Sequence, residues 1–119
     1  MILIAGLRLE AVLAGAVSAN QPEVHVDYKD WNSAGIATPP APFRIVLNSG
    51  TDVIILAAPT INPVREPLLI SIYNKVTASV TVTVKTDDGT TEFIKMKKVL
   101  ATLETLHWST ISGWYVTNA

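Results

Sequence analysis

The sequence predicts an all-β protein: an antiparallel β-sandwich, jelly-roll-like or immunoglobulin-like, of about eight or nine short strands. Three observations carry this. Short runs alternate apolar and polar residues with period two, most cleanly across residues 79–85, where Val80, Val82 and Val84 alternate with Thr81 and Thr83. Turn signals built on Gly, Pro, Asn and Asp interrupt these runs repeatedly. No stretch sustains a helical pattern. A closed barrel is the second architecture these signals allow. The order of strands within the sheets does not follow from sequence.

Taken in order, residues 1–6 are apolar. They fit either an arm docking on a neighbouring subunit or an edge strand of their own domain. Leu7, Leu9 and Ala11 then alternate with Arg8 and Glu10, as in a strand with one wet face. Residues 11–19 loosely resemble the end of a signal peptide. The leading residues lack a basic side chain, so a structured strand is the better reading. Asn20-Gln21-Pro22 is a turn. Val24, Val26 and Tyr28 then point one way and His25, Asp27 and Lys29 the other. Trp31 precedes residues 35–42, where Pro39, Pro40 and Pro42 dictate an extended connector. Residues 43–47 and 53–58, around Asn48-Ser49-Gly50, read as a hairpin.

Residues 59–67, with Arg65 and Glu66 among their prolines, read as a loop. Residues 68–100 read as a three-stranded meander around which the rest packs. Its strands are 68–74, 79–85 and 92–98, and Asp87-Asp88-Gly89 forms the last turn. In the third strand Ile94 and Met96 are expected to face the core, with Lys95 and Lys97 in water. Residues 105–108 and 114–116 are the final strands, joined through Ser112-Gly113. One domain spans residues 1–119, with 1–6 a possible N-terminal arm.

Composition narrows the function. Of the 119 residues 49% are hydrophobic and only 16% charged, and mean hydropathy is positive. Soluble domains carry about 25% charged residues. A domain this small cannot hide all its apolar groups in one core, so part of the surface is expected to be buried against other chains. A net charge of −1 supplies no field for nucleic acid. No apolar run reaches the roughly 18–20 residues of a membrane-spanning helix. With no cysteine there is no disulfide or thiolate chemistry.

No residue set reads as catalytic, cofactor-binding or metal-binding. His25 and Asp27 share the wet face of one strand, and a solvated surface pair explains them better than half a metal site. His107 reads the same way. Asp87 and Asp88 fall short of a calcium loop and read as turn residues. Glu23, Asp27 and Asp30 lie close in sequence, as glycosidase carboxylates must in space, but proximity along the chain is weak support. Trp108 and Trp114 read as core residues, and Trp31, beside a loop, is open to either role. Lys85, Lys95, Lys97 and Lys98 read as a solvated face or a guarded sheet edge.

A running pattern resembles small virion proteins of tailed bacteriophages. It comprises Ala14-Gly15-Ala16-Val17-Ser18-Ala19-Asn20-Gln21, Asn48-Ser49-Gly50-Thr51-Asp52-Val53, Leu56-Ala57-Ala58-Pro59 and Ile70-Ser71-Ile72-Tyr73-Asn74-Lys75. The Val/Thr strand with Asp88-Gly89, Leu103-Glu104-Thr105-Leu106 and the closing Gly113-Trp114-Tyr115-Val116 complete it. The resemblance implies a non-enzymatic structural protein located in the virion. It would be a capsid decoration or cement protein or a head fibre, with a neck or tail attachment module as alternative. It further implies a homotrimer contacting a major capsid protein or neck and tail proteins, without cofactor, nucleic acid or membrane. Expected subunit contacts are Met1, Ile2, Leu3, Ile4, Trp31, Pro39, Pro40, Pro42, Arg65 and Glu66. A carbohydrate-binding sandwich for receptor recognition is the other function weighed, and a small β-sandwich hydrolase a third.

Overall fold

Period-two patterning becomes ten strands in two sheets in the computed structural model, which describes residues 1–118. Sheet A runs β10 (Gly113–Thr117), β9 (Thr105–Ser109), β6 (Val64–Tyr73), β3 (Glu23–Trp31), β4 (Ala41–Val46), with the short β1 (Leu3–Ile4) also on β6. Sheet B runs β5 (Val53–Leu56), β2 (Arg8–Leu13), β7 (Val80–Asp87), β8 (Glu92–Leu100). Every pairing is antiparallel. The sandwich is therefore of the predicted class, and its tenth strand is β1. Residues 3–4 are an edge strand of their own domain, the second of the two readings given for this segment.

The core forms where the apolar face of each sheet meets the other. Directly paired residues share a face, so register lines them up into rows. On sheet A, Val26, Ile70, Trp108 and Trp114 form one inner row and Val24, Ile72, Leu106 and Val116 the next. Sheet B answers with Leu9, Ala11, Leu13, Val82 and Val84, all buried. Burying a Val, Leu or Ile side chain contributes about 1.5–3 kcal/mol. Trp108 and Trp114 pack against this core as expected, their ring centroids 6.2 Å apart.

Three expectations of local pairing fail. The 68–100 stretch is not a meander. Strand β6 belongs to sheet A and β7 to sheet B, and only β7 and β8 form a hairpin. Residues 43–58 are not a hairpin either, because β4 pairs with β3 and β5 with β2. In both places each strand has one apolar face. Two such strands can bury those faces equally well side by side or across the sandwich, and here they do so across it. Third, Ile94 is exposed. A bulge pairs Val84 with Met96 but Lys85 with Ile94, so Lys95 is the extra residue and Ile94 turns to the outer face.

The proline segments also reach into strands. Pro42 pairs with Asp27 on edge strand β4, where a missing N–H is tolerated. Pro67 lies within β6, between the part paired with β1 and the part paired with β9, next to the bulge that leaves Leu68 without a partner on β3. The residues between Pro59 and β6 remain a loop.

Crossing between sheets would strand backbone polar groups at the corner, and Asn74 takes them up. It is fully buried. Its Nδ2 donates to the carbonyls of Ala78, Leu100 and Ala101 at 3.0, 3.0 and 3.1 Å, and its Oδ1 accepts from Val76 N at 3.0 Å. Replacing Asn74 with Ala leaves several of these groups without partners, at about 1–3 kcal/mol each. The expected outcome is a loss of at least about 2 kcal/mol in urea unfolding with the m-value unchanged.

Candidate functional site

The outer face of sheet A carries a polar row made by register. Arg44 pairs with His25, His25 with Ser71, Ser71 with His107, and His107 with Tyr115, one residue from each strand of the sheet path. The expected surface pair is present: His25 Nε2 lies 2.8 Å from Asp27 Oδ1. Arg44 Nε donates to His25 Nδ1 at 3.2 Å. A guanidinium only donates, so Nδ1 accepts, and the proton sits on Nε2, donated to Asp27. Both ring nitrogens are thus engaged by neighbouring side chains. His107 stacks on Tyr115 at 4.8 Å and 13°. Its Nε2 meets Thr117 Oγ1 at 2.7 Å. An open cleft of about 500 Å³ lies at the Arg44–His25–Ser71 part of this row, lined by Glu23, His25, Arg44, Val46, Ser71 and Tyr73 among others. The arrangement offers donors, acceptors and an aromatic face to a polar ligand.

One end of the same sheet gathers several residues singled out from sequence. Ile4 pairs with Val64, Val64 with Trp31 and Trp31 with Ala37. Ile2 and Ile4 are 57% and 55% exposed. With Trp31, Val64 and Glu66, Ile2 lines a shallow apolar depression. Trp31 is held at the end of β3. Its Nε1 donates to Glu66 Oε1 at 3.1 Å, and Lys29 Nζ sits 4.7 Å above the ring. Pro39, Pro40 and Pro42 are exposed.

Leu3 and Arg65 depart from the expected contact set, because both point inward. Leu3 is completely buried in its own core, and Met1 packs against that core half-buried. Arg65 closes the end of the sandwich. Its Nε and Nη2 donate to Asp30 Oδ1 and Oδ2 at 2.8 and 3.0 Å, and its Nη1 to the Ala57 carbonyl at 3.0 Å, just past β5. Its guanidinium also covers the Tyr28 ring at 4.6 Å. Arg65 therefore ties sheet A to sheet B. This separates Asp30 from Asp27, which lies on the outer face, so the two do not form a carboxylate pair.

Sheet B carries a charge cluster on its outer face. Register sets Arg8 opposite Asp87 and Glu10 opposite Lys85. Arg8 donates to Glu10 Oε2 at 2.6 Å and Asp87 Oδ2 at 2.7 Å. Lys85 bonds Asp52 at 2.9 Å and also Glu92. Hydrogen bonds to Asp52 and Glu92 hold the Lys85 ammonium far above its ordinary pKa. Lys85 is therefore not part of a basic face with Lys95, Lys97 and Lys98. Glu10, expected in water, is 3% exposed, and its Oε1 is buried without a hydrogen-bond partner. Sequence alone signals none of this, since Arg8 and Asp87 lie 79 residues apart.

Comparison with known proteins returns no family model, no curated protein and no solved structure that matches the chain.

The Arg65 clip yields a pH prediction. Hydrogen bonds from Arg65 hold the Asp30 carboxyl below its ordinary 3.8. A depressed carboxylate pKa contributes stability above the unfolded value and loses it as pH falls through the folded one. Unfolding free energy measured from pH 5 toward pH 2 should fall more steeply in the native protein than in Asp30→Asn. At pH 7 that variant should be about 1–3 kcal/mol less stable.

Proposed function

We propose that the protein is a non-enzymatic structural subunit of a tailed-bacteriophage virion, a capsid decoration, cement or head-fibre protein that works through subunit contacts. One observation carries the assembly part of this reading. Ile4, Trp31 and Val64, from three different strands, and Ile2, just ahead of β1, present apolar surface side by side at one end of sheet A. Single exposed apolar residues are ordinary on a surface, and a contiguous group of them supports an interaction site. The virion setting rests on the sequence resemblance, whose segments fall between β2 and β3, leading into β5 and at its end, along β6 and β7, at the β7–β8 turn, at the start of β9 and on β10. The partners in this reading are copies of the chain, as a trimer, and a neighbouring virion protein. A neck or tail attachment module would use the same surface.

Light scattering over a concentration series tests the assembly. A species near three times 12.8 kDa is expected. Ile4→Glu, at an exposed position, should shift it toward monomer by about tenfold or more in concentration while leaving the monomer folded. A native protein that stays monomeric at every concentration removes the self-assembly reading.

The polar row favours a second reading, a receptor-recognition sandwich that binds carbohydrate. Arg44, His25, Ser71 and Tyr115 supply polar groups and a stacking face across one sheet. Calorimetric titration with glycans identified on an array should then give saturable heats, weakened about tenfold or more by Arg44→Ala and Tyr115→Ala.

A further inference from the structure

The charge cluster on sheet B has a feature that ion pairing does not account for. Glu10 is buried, its carboxylate is already the partner of Arg8, and yet Oε1 meets no donor. A desolvated carboxylate oxygen is costly unless a positive group faces it. Carboxylate oxygens of Glu10, Asp87 and Glu92, one from each, lie within 4.8 Å of one another. Oxygens bound to one calcium ion at 2.3–2.6 Å are spaced about 3–5 Å from each other. The three groups are therefore already at the spacing of a shared ion.

The charges agree. Glu10, Asp52, Asp87 and Glu92 bring four negative charges, and Arg8 and Lys85 bring two positive ones. The cluster is left with a surplus of two negative charges, which one divalent cation neutralises. Each carboxylate oxygen can accept more than one partner, so Arg8 can remain on Glu10 Oε2 and Asp87 Oδ2 while an ion uses the free lone pairs. Lys85 can give up Glu92 and keep Asp52, which it already holds at 2.9 Å. Glu92, half exposed at the hairpin, gives the ion a route in from solvent.

We propose that Glu10, Asp87 and Glu92 form a binding site for a hard divalent cation, calcium fitting best, in which the ion competes with the Lys85 ammonium for Glu92. The donor set is all oxygen, which suits calcium, manganese or magnesium and not zinc. Three protein carboxylates with neighbouring cations make a weak site, in the range of about 0.1–1 mM that extracellular modules use. The inference does not depend on how the chain assembles, since the cluster lies on the opposite sheet from the apolar end.

The test is calorimetric titration of the folded protein with calcium chloride, joined to manganese chloride line broadening in an amide NMR spectrum. Saturable binding is expected, with broadening centred on Glu10, Asp87 and Glu92. Glu92→Gln, at an exposed position that leaves the fold intact, should weaken binding about tenfold or more. Lys85→Gln should tighten it, because it removes the competitor, an effect that a merely structural ion pair would not produce. No saturable heat up to about 10 mM, broadening centred elsewhere, or affinity unchanged in Glu92→Gln would each overturn the proposal.

Discussion

A sandwich built from strands that keep changing sheets depends on how it satisfies backbone groups at the corners, and Asn74 is the residue on which that rests. It stands where β6 leaves sheet A for β7 in sheet B, beside the return from β8 to β9. Its side chain holds carbonyls of Ala78, Leu100 and Ala101. Its backbone N donates to Glu104 O at 2.9 Å, and its backbone O accepts from Leu103 N at 2.7 Å. Leu103 sits at φ +66, a left-handed conformation costly for a side chain other than Gly. The bond to Asn74 helps hold it there. One amide thus serves two crossovers, and both sheets are positioned by it.

Given those corners, the two outer faces diverge for a physical reason. Sheet A is closed at one end by the Arg65 clip on Asp30, Tyr28 and the Ala57 carbonyl. That turns Arg65 and Asp30 inward and leaves Ile2, Ile4 and Trp31 outward, beside Lys29 and Glu66. Sheet B places Arg8, Glu10, Lys85 and Asp87 on adjacent central strands, so its charges screen one another and Glu10 is covered. Register is the common cause. It turns residues that are polar alternates on single strands into rows, the Arg44–His25–Ser71–His107–Tyr115 line on one sheet and the ion cluster on the other.

Some of this was legible before folding. Alternation in β2, β3 and β7 identified which side chains enter the core, and Leu9, Val24, Val26, Val82 and Val84 are buried there. The Asp-Gly turn joins β7 and β8, with Gly89 at φ +91. The His25–Asp27 pair followed from i, i+2 spacing alone. Ile94 was misjudged because a bulge adds a residue that no periodicity reveals. Leu3 and Arg65 were misjudged because an apolar terminus and a charged loop residue look exposed until a strand or a carboxylate is placed against them.

The sequence by itself determined the all-β class and, away from bulges, most of the strands and the side of each that is apolar, because period-two patterning and turn chemistry are local properties. Tertiary structure alone decided which strands share a sheet. Side-by-side and face-to-face burial of the same apolar face are nearly equivalent to a local pattern. That choice, made by long-range pairing and by the Asn74 corner, also decided the sites. The polar row, the apolar end and the charge cluster each join residues from strands far apart in the chain.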